Sequence, residues 1–284
     1  MQLLDGKSLA QKIEQNVTLQ AKEFKNRTHR VPGLAVILVG HDAASQAYVG
    51  MKKKACDRAG FYSVTHEMPD DISQEAIIKT IEMMNQNPNI DGILIQLPLP
   101  SHIDTTKILE VVSPSKDVDG FHPYNVGRLA TGLDGFVPCT PLGVMELLAE
   151  YNIEPKGLNA VIVGASNIVG KPMAALLLNA HATVTITHIH TKDLKSHTLN
   201  ADILLVGAGV INLIKEDMVR EGTIVIDIGI NRTSDGRLVG DVDYDAVAPK
   251  TSYITPVPGG VGPMTIAMLL SNTLKAAQNH GDER

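Results

Sequence analysis

The chain has 284 residues, a formal charge of −6 and only two cysteines, Cys56 and Cys139. Its length predicts about two domains, and the acidic balance argues against nucleic acid or an anionic membrane surface as the main partner. Two cysteines without a C-x-x-C pairing give no zinc framework and fit a reducing, cytoplasmic setting; no apolar run reaches the roughly 18 residues of a membrane span, and Met1 to Lys7 lack a signal-peptide pattern.

Ser8 is placed as a helix N-cap, with Leu9, Ile13, Val17 and Phe24 following at mostly helical spacing. Residues 34–39 form an unbroken apolar run, as expected of a strand buried on both faces. Residues 44–59 read as a helix stopped by Gly60, and 61–66 as a strand. Residues 73–87 form an amphipathic helix turning Ile77, Ile78, Ile81 and Met84 inward. A strand at 90–97 and a helix at 104–112 complete the alternation, which predicts a parallel sheet with helices on its faces.

Two features of this first half point to chemistry. Tyr48 and Lys52 lie four residues apart, on one helix face. Neighbouring Lys53 and Lys54 disfavour full protonation, and a dry pocket would lower the lysine further, toward the range of a general base. A solvated basic face is the plainer reading and suits Lys53 and Lys54. Short-chain dehydrogenases also carry Tyr-x-x-x-Lys, but after their glycine turn; here the pair comes long before it, which excludes that reading. Gln96 ends a strand where open parallel sheets bind ligands. Its amide both donates and accepts, which suits a pterin-like edge or a contact that orients Lys52.

Residues 113–140 are rich in Gly, Pro and Asp and weakly periodic, so they read as a functional loop or a domain junction. Of Asp117 and Asp119, one is expected to form the turn before Gly120. The other is left to take a guanidine-like group on its paired acceptor atoms. A helix over 141–151 starts on Pro141, where the missing N–H costs little.

Alternation resumes with a strand at 160–163, a helix at 169–179 and strands at 183–187, 202–207 and 223–228, a second doubly wound unit. Val161 to Pro172 reads as a buried strand, a tight glycine turn and a helix, whose free amides would receive a pyrophosphate. The spacing Gly164-x-Ser166-x-x-x-Gly170 departs from G-x-G-x-x-G: serine replaces the middle glycine, and the last comes one residue late. The Ser166 hydroxyl would donate to a phosphate oxygen; the alternative is a tight βα loop that binds nothing. After the next strand, where an NAD enzyme places a carboxylate on the ribose, stand Thr187-His188-Ile189-His190-Thr191-Lys192. This basic stretch suits a 2′-phosphate and favours NADP over NAD, with ordinary surface histidines as the alternative. His188 and His190 have no third partner nearby that would make a metal site. Pro256 to Thr265 holds three glycines that permit close backbone approach to a ligand. A last helix, from Pro263 to about Gln278, is expected to pack back on the first domain.

Six segments in order resemble the bifunctional methylenetetrahydrofolate dehydrogenase/methenyltetrahydrofolate cyclohydrolase family: Ala44 to Lys52, Gln96 to Pro100, Lys116 to Phe121, Pro138 to Pro141, Gly164 to Pro172 and Thr255 to Thr265. The resemblance implies two doubly wound α/β domains with a cleft between them. Residues 1–140, completed by the C-terminal helix 264–284, would bind folate and carry the chemistry; 141–263 would be a Rossmann-like NADP-binding domain. It implies oxidation of methylene-tetrahydrofolate to methenyl-tetrahydrofolate with NADP, then hydrolysis to formyl-tetrahydrofolate, with a monofunctional NAD(P)-dependent dehydrogenase as the alternative. Lys52 would match the family's lysine, Tyr48 the tyrosine stacked near the folate, Gln96 the residue that holds and tunes the lysine, and Asp119 the carboxylate on the pterin. Pro258, Gly259 and Gly260 would line the substrate. Gly164, Ala165, Ser166, Ile168, His188, Thr191 and Ile230 would contact the cofactor. Some relatives place arginine at the positions of Ala165 or Ile189; His188, His190, Thr191 and Lys192 stand in for it here. The resemblance also implies a homodimer paired through the nucleotide domain, and it makes Leu97–Pro98 and Val257–Pro258 candidates for cis bonds.

Overall fold

The structure, a computed structural model, describes residues 1–282. Two compact units emerge. One gathers Met1–Ala10, Leu129–Leu133 and Thr140–Thr265; the other Gln11–Arg128, Asp134–Cys139 and the chain from Ile266 onward. Among the described residues no helix is long and apolar enough to cross a membrane.

The unit that begins at Gln11 is built on a three-stranded parallel sheet in the order Tyr62–Met68, Gly33–Val39, Gly92–Ile95. All seven residues of the central strand are buried, which is why its sequence is apolar without alternation. The helix Ala43–Ala59 is capped by Asp42, which accepts from the Ser45 N–H at 2.7 Å, and ends at Gly60 in the left-handed conformation (φ 75°). Ser73 caps Gln74–Gln86 and Asp104 caps Thr105–Val111. Ile77, Ile81, Met84 and Ile108 close one face of the sheet over Ala35, Ile37, Ile93 and Ile95. Ile78 is only half-buried, at the margin of that core. Asp91, wholly buried, receives Arg30 in a bidentate pair at 2.8 and 2.9 Å and the Gly33 N–H at 2.9 Å. Burial alone would raise its carboxyl, but the His280 ring at 3.4 Å, then Arg30 and the Gly33 N–H, hold it below its ordinary range.

The other unit carries a six-stranded, all-parallel sheet in the order Gln2–Leu3, Tyr253–Ile254, Ile224–Asp227, Ile203–Val206, Asn159–Val163, Thr183–Thr187. The strand order reverses at Asn159–Val163: the chain moves to one side for Thr183–Thr187, then crosses to Ile203–Val206. That reversal opens a ligand crevice beyond the carboxyl ends of the strands.

Several expectations are corrected. The first ten residues belong with the six-stranded sheet, because Gln2–Leu3 pairs in parallel with Tyr253–Ile254. Strands of two residues carry no period to read. Ser8 is not a cap: the helix Gly6–Thr28 starts earlier, and Asp5 accepts from the Ser8 N–H and hydroxyl at 3.0 and 2.6 Å. The stretch 113–140 contains the helix Pro123–Ala130. The last helix begins at Val261, with Pro263 inside its first turn, where a proline is tolerated.

Candidate active site

In the unit of the three-stranded sheet, Lys52 projects from Ala43–Ala59 and is 9% exposed, while Lys53 and Lys54 are in solvent. Its Nζ donates to Gln96 Oε1 at 3.0 Å, and Gln96 Nε2 donates to the Leu97 carbonyl at 2.8 Å. The second bond fixes which way the amide faces, so the lysine meets an oxygen. Of the two roles open to Gln96, the contact to Lys52 is thus in place. Tyr48 stands one turn earlier on the helix, half-buried.

Asp117 and Asp119 separate as expected. Asp117 makes the turn: its carboxylate accepts from the Phe121 and His122 N–H groups at 3.2 and 2.9 Å and from Asn125 Nδ2 at 2.8 Å. Asp119 is left over. Burial pushes its carboxyl up, and the Lys52 charge and the Cys139 thiol against it pull it back in part. The Cys139 thiol itself is driven well above its ordinary value, first by burial and then by the Asp119 charge. Lys52, Gln96 and Asp119 therefore set an amine, an amide and a carboxyl group at the carboxyl end of the sheet.

Some supporting residues escaped the sequence reading. Buried Lys116 donates to the Met84 and Asn87 carbonyls at 3.1 and 2.9 Å, closing the end of Gln74–Gln86. Asn272 Nδ2, on the last helix, donates to the Val118 and Val137 carbonyls at 2.8 and 3.0 Å and so braces both sides of Asp119 and Cys139. Nothing in a lone Asn or Lys announces such a role; only the fold brings these carbonyls to it.

In the unit of the six-stranded sheet, the glycine turn is a backbone device. Gly164 has φ 116°, and a Cβ there would stand 2.3 Å from the Gly207 carbonyl oxygen. A Cβ on Gly170 would stand 2.0 Å from the Gly164 carbonyl oxygen. One glycine lets two strand ends meet at the point of reversal; the other seats the helix Gly170–Asn179 against the turn. Between them Ser166, exposed, accepts from the Val169 and Gly170 N–H groups at 3.1 and 3.4 Å. Its hydroxyl proton stays free to donate. Ala165 is half-buried at the turn, while Ile168 and Ile230 are 39% and 42% exposed. After Thr183–Thr187 the chain folds on itself: the His188 N–H donates to Thr191 Oγ1 at 2.9 Å, and the His190 N–H reaches His188 Nδ1 at 3.2 Å. The first carboxylate after the strand, Asp193, is turned away to cap Leu194–Thr198. Among the described residues this strand end thus offers no acid for a ribose diol, and its histidine, threonine and lysine side chains suit a phosphate. Pro258, Gly259 and Gly260 lie in the loop before Val261–Asp282, with Gly259 at φ 106°. Leu97–Pro98 and Val257–Pro258 are both cis.

Comparison with known proteins finds one family over both units. The model of the tetrahydrofolate dehydrogenase/cyclohydrolase catalytic domain matches residues 4–119, and that of the tetrahydrofolate dehydrogenase/cyclohydrolase NAD(P)-binding domain matches 138–281. The bifunctional protein FolD of Sulfurimonas denitrificans is 77% identical over 100% of this chain and 99% of its own. The structure of the bifunctional FolD dehydrogenase/cyclohydrolase of Campylobacter jejuni superposes with a TM-score of 0.97 at 55% identity, covering 98% and 99% of the two chains. That of Trypanosoma brucei, complexed with NADP cofactor and inhibitor, does so at 0.94 and 38%, covering 97% and 96%.

Proposed function

The chain belongs to the tetrahydrofolate dehydrogenase/cyclohydrolase family, and on that premise we propose how its own residues divide the family's two reactions. It oxidises methylene-tetrahydrofolate to methenyl-tetrahydrofolate with NADP and hydrolyses that product to formyl-tetrahydrofolate. A monofunctional dehydrogenase is not favoured, since both domains are matched and the relatives at high identity are bifunctional.

Lys52 is the base of the hydrolytic step: it takes the proton of the water that adds to the methenyl carbon. The observation that carries this role is its bond to Gln96 Oε1 in a buried position. A neutral amide oxygen can keep that bond to either an ammonium or an amine, so the lysine stays in place as it gains and loses a proton. A carboxylate there would lock it as the cation. Tyr48 offers its ring to the folate, and Asp119 offers two acceptor atoms to the paired N–H donors of the pterin. The Pro258–Gly260 backbone is assigned to substrate as well, on the close approach its glycines permit.

The nucleotide is held by Gly164, Ala165 and Ser166 at the phosphates, by His188 and Thr191 at the 2′-phosphate, and by the exposed side chains of Ile168 and Ile230 on its apolar faces. The turn suits it: Gly164 and Gly170 let the backbone close tightly and leave Ser166 exposed, with a hydroxyl proton to donate. When bound, NADP supplies the acceptor for the hydride that leaves the methylene carbon. We place the enzyme in the cytoplasm, in keeping with two unpaired, buried cysteines. A homodimer through the nucleotide unit is supported by the open edge of Thr183–Thr187, and analytical ultracentrifugation tests it.

Lys52→Met tests the assignment of the base. Hydrolysis of methenyl-tetrahydrofolate should be lost while NADP binding, read by fluorescence titration, persists. Undiminished hydrolysis would remove Lys52 from the reaction.

A further inference from the structure

Two buried carboxylates in the nucleotide unit have no part in the chemistry above. Asp241 is wholly buried and receives no cation: its Oδ2 accepts from the Ala208 and Gly209 N–H groups at 2.6 and 2.8 Å, and its Oδ1 from Asn231 Nδ2 at 2.7 Å. Asp227, 3% exposed, ends the strand Ile224–Asp227 and accepts from the Gly229, Asp241 and Val242 N–H groups at 3.0, 3.1 and 3.0 Å. Its own backbone N–H donates to Thr255 Oγ1 at 2.7 Å, and that hydroxyl donates to the Asp227 carbonyl at 3.3 Å.

The two acids therefore tie together the carboxyl ends of two neighbouring strands, Ile203–Val206 and Ile224–Asp227, while the Asp227 backbone N–H joins the second to Thr255, just after Tyr253–Ile254. The sequence makes room for them. A Cβ on Gly229 would stand 2.3 Å from Asp241 Cγ, and one on Gly240 would stand 1.8 Å from Asp227 Oδ2. The turns they hold are exposed and border the crevice: Ala208 to Asn212 on one strand end, Ile230 on the next. Gly207, where the first of these turns begins, is the residue whose carbonyl abuts Gly164. Buried anions with neutral partners weaken a fold unless they hold something in place.

We propose that Asp241, backed by Asp227, is a positioning residue for NADP: it fixes the Ala208–Gly209 and Gly229–Asn231 turns in the form that receives the nucleotide. The inference rests on the assignment of the nucleotide to the Gly164 turn. It acts on the dehydrogenase reaction and leaves the hydrolytic reaction, whose base lies in the other unit, untouched. An asparagine at 241 would keep the size but offer one oxygen to three donors, so one turn must lose its anchor.

The test measures both activities in one preparation of the full chain, with hydrolysis of methenyl-tetrahydrofolate assayed without NADP. In Asp241→Asn, KM for NADP should rise at least tenfold, kcat should change by less, and hydrolysis should stay within twofold of the parent. Asn231→Ala, which removes one contact of three, should show the same split at about threefold. An unchanged KM for NADP in Asp241→Asn overturns the proposal. If Asp241→Asn loses both activities by unfolding, Asn231→Ala decides: an unchanged KM overturns the proposal, and a raised KM with hydrolysis intact supports it. Ser166→Glu, an exposed change that sets a charge against the phosphates, separates the two assignments. If it spares NADP binding, the nucleotide site is misplaced; if it abolishes binding while both other variants leave KM unchanged, only the positioning role falls.

Discussion

The Lys52 site and the Gly164 turn are built on opposite principles. At Lys52 the work is done by side chains, and the backbone serves to hold them: Gln96 is fixed by the Leu97 carbonyl and Asp119 is braced through Asn272. At Gly164 the work is done by the backbone, and its value lies in side chains that are absent. The first kind of site should fail by loss of a functional group with the fold intact. The second should fail when a single carbon is added.

The sharpest way to break this contrast is Lys52→Met. Loss of a general base costs about 10²- to 10⁴-fold, so hydrolysis should fall by that much, with NADP affinity and urea midpoint unchanged. A parallel loss of NADP affinity would show that the two sites are not chemically separate. Next comes Gly170→Ala. Overpacking against backbone costs about 1–3 kcal/mol, roughly ten- to a hundredfold if it appears as NADP affinity. Hydrolysis should survive; intact NADP affinity would mean the turn yields more easily than its contacts allow. Gln96→Ala should act on Lys52 alone, through a bond of the charged kind valued at about 1.5–3 kcal/mol. Stopped-flow hydrolysis should slow by about tenfold or more.

The last effect is on stability, not on activity. Burial pushes Asp227 up to about 6, against three backbone bonds that lower it. The unfolded chain releases this proton near 3.8, so the folded state binds more protons between roughly 4 and 6. Stability from this group is therefore lost as pH rises through that window, by on the order of 3 kcal/mol. Urea unfolding at pH 4.5 and 7 should show the parent losing stability relative to Asp227→Asn by up to that amount. A constant difference between the two proteins would show that Asp227 is ionised throughout.

The contrast also explains what could be read from the chain alone. The strand Gly33–Val39 and the helix Gln74–Gln86 were legible because each buries a periodic or continuous apolar face. Lys52 stood out because it shares a helix face with Tyr48, and its half-buried neighbour Gln96 because it follows the end of a strand. The glycine turn was legible in type, though its late glycine hid the reason, which is that Gly170 meets the Gly164 carbonyl and not a ligand. The helix Pro123–Ala130 was hidden by its surroundings, a stretch dense in Gly, Pro and Asp. The carboxylates at 227 and 241 stayed invisible for another reason. An Asp beside a glycine reads as a turn, and only the assembled sheet reveals that the glycine is there to admit the acid.

One feature of the first unit bears on how the protein can be handled. Cys56 is buried and pushed up to about 12, and Cys139, also buried and set against an acid, is pushed well above its ordinary value. Neither presents a thiolate near neutral pH. One cysteine introduced on the surface of each unit would therefore supply the two reactive thiols, and a dye pair on them would report distances in the working enzyme without removing a native residue.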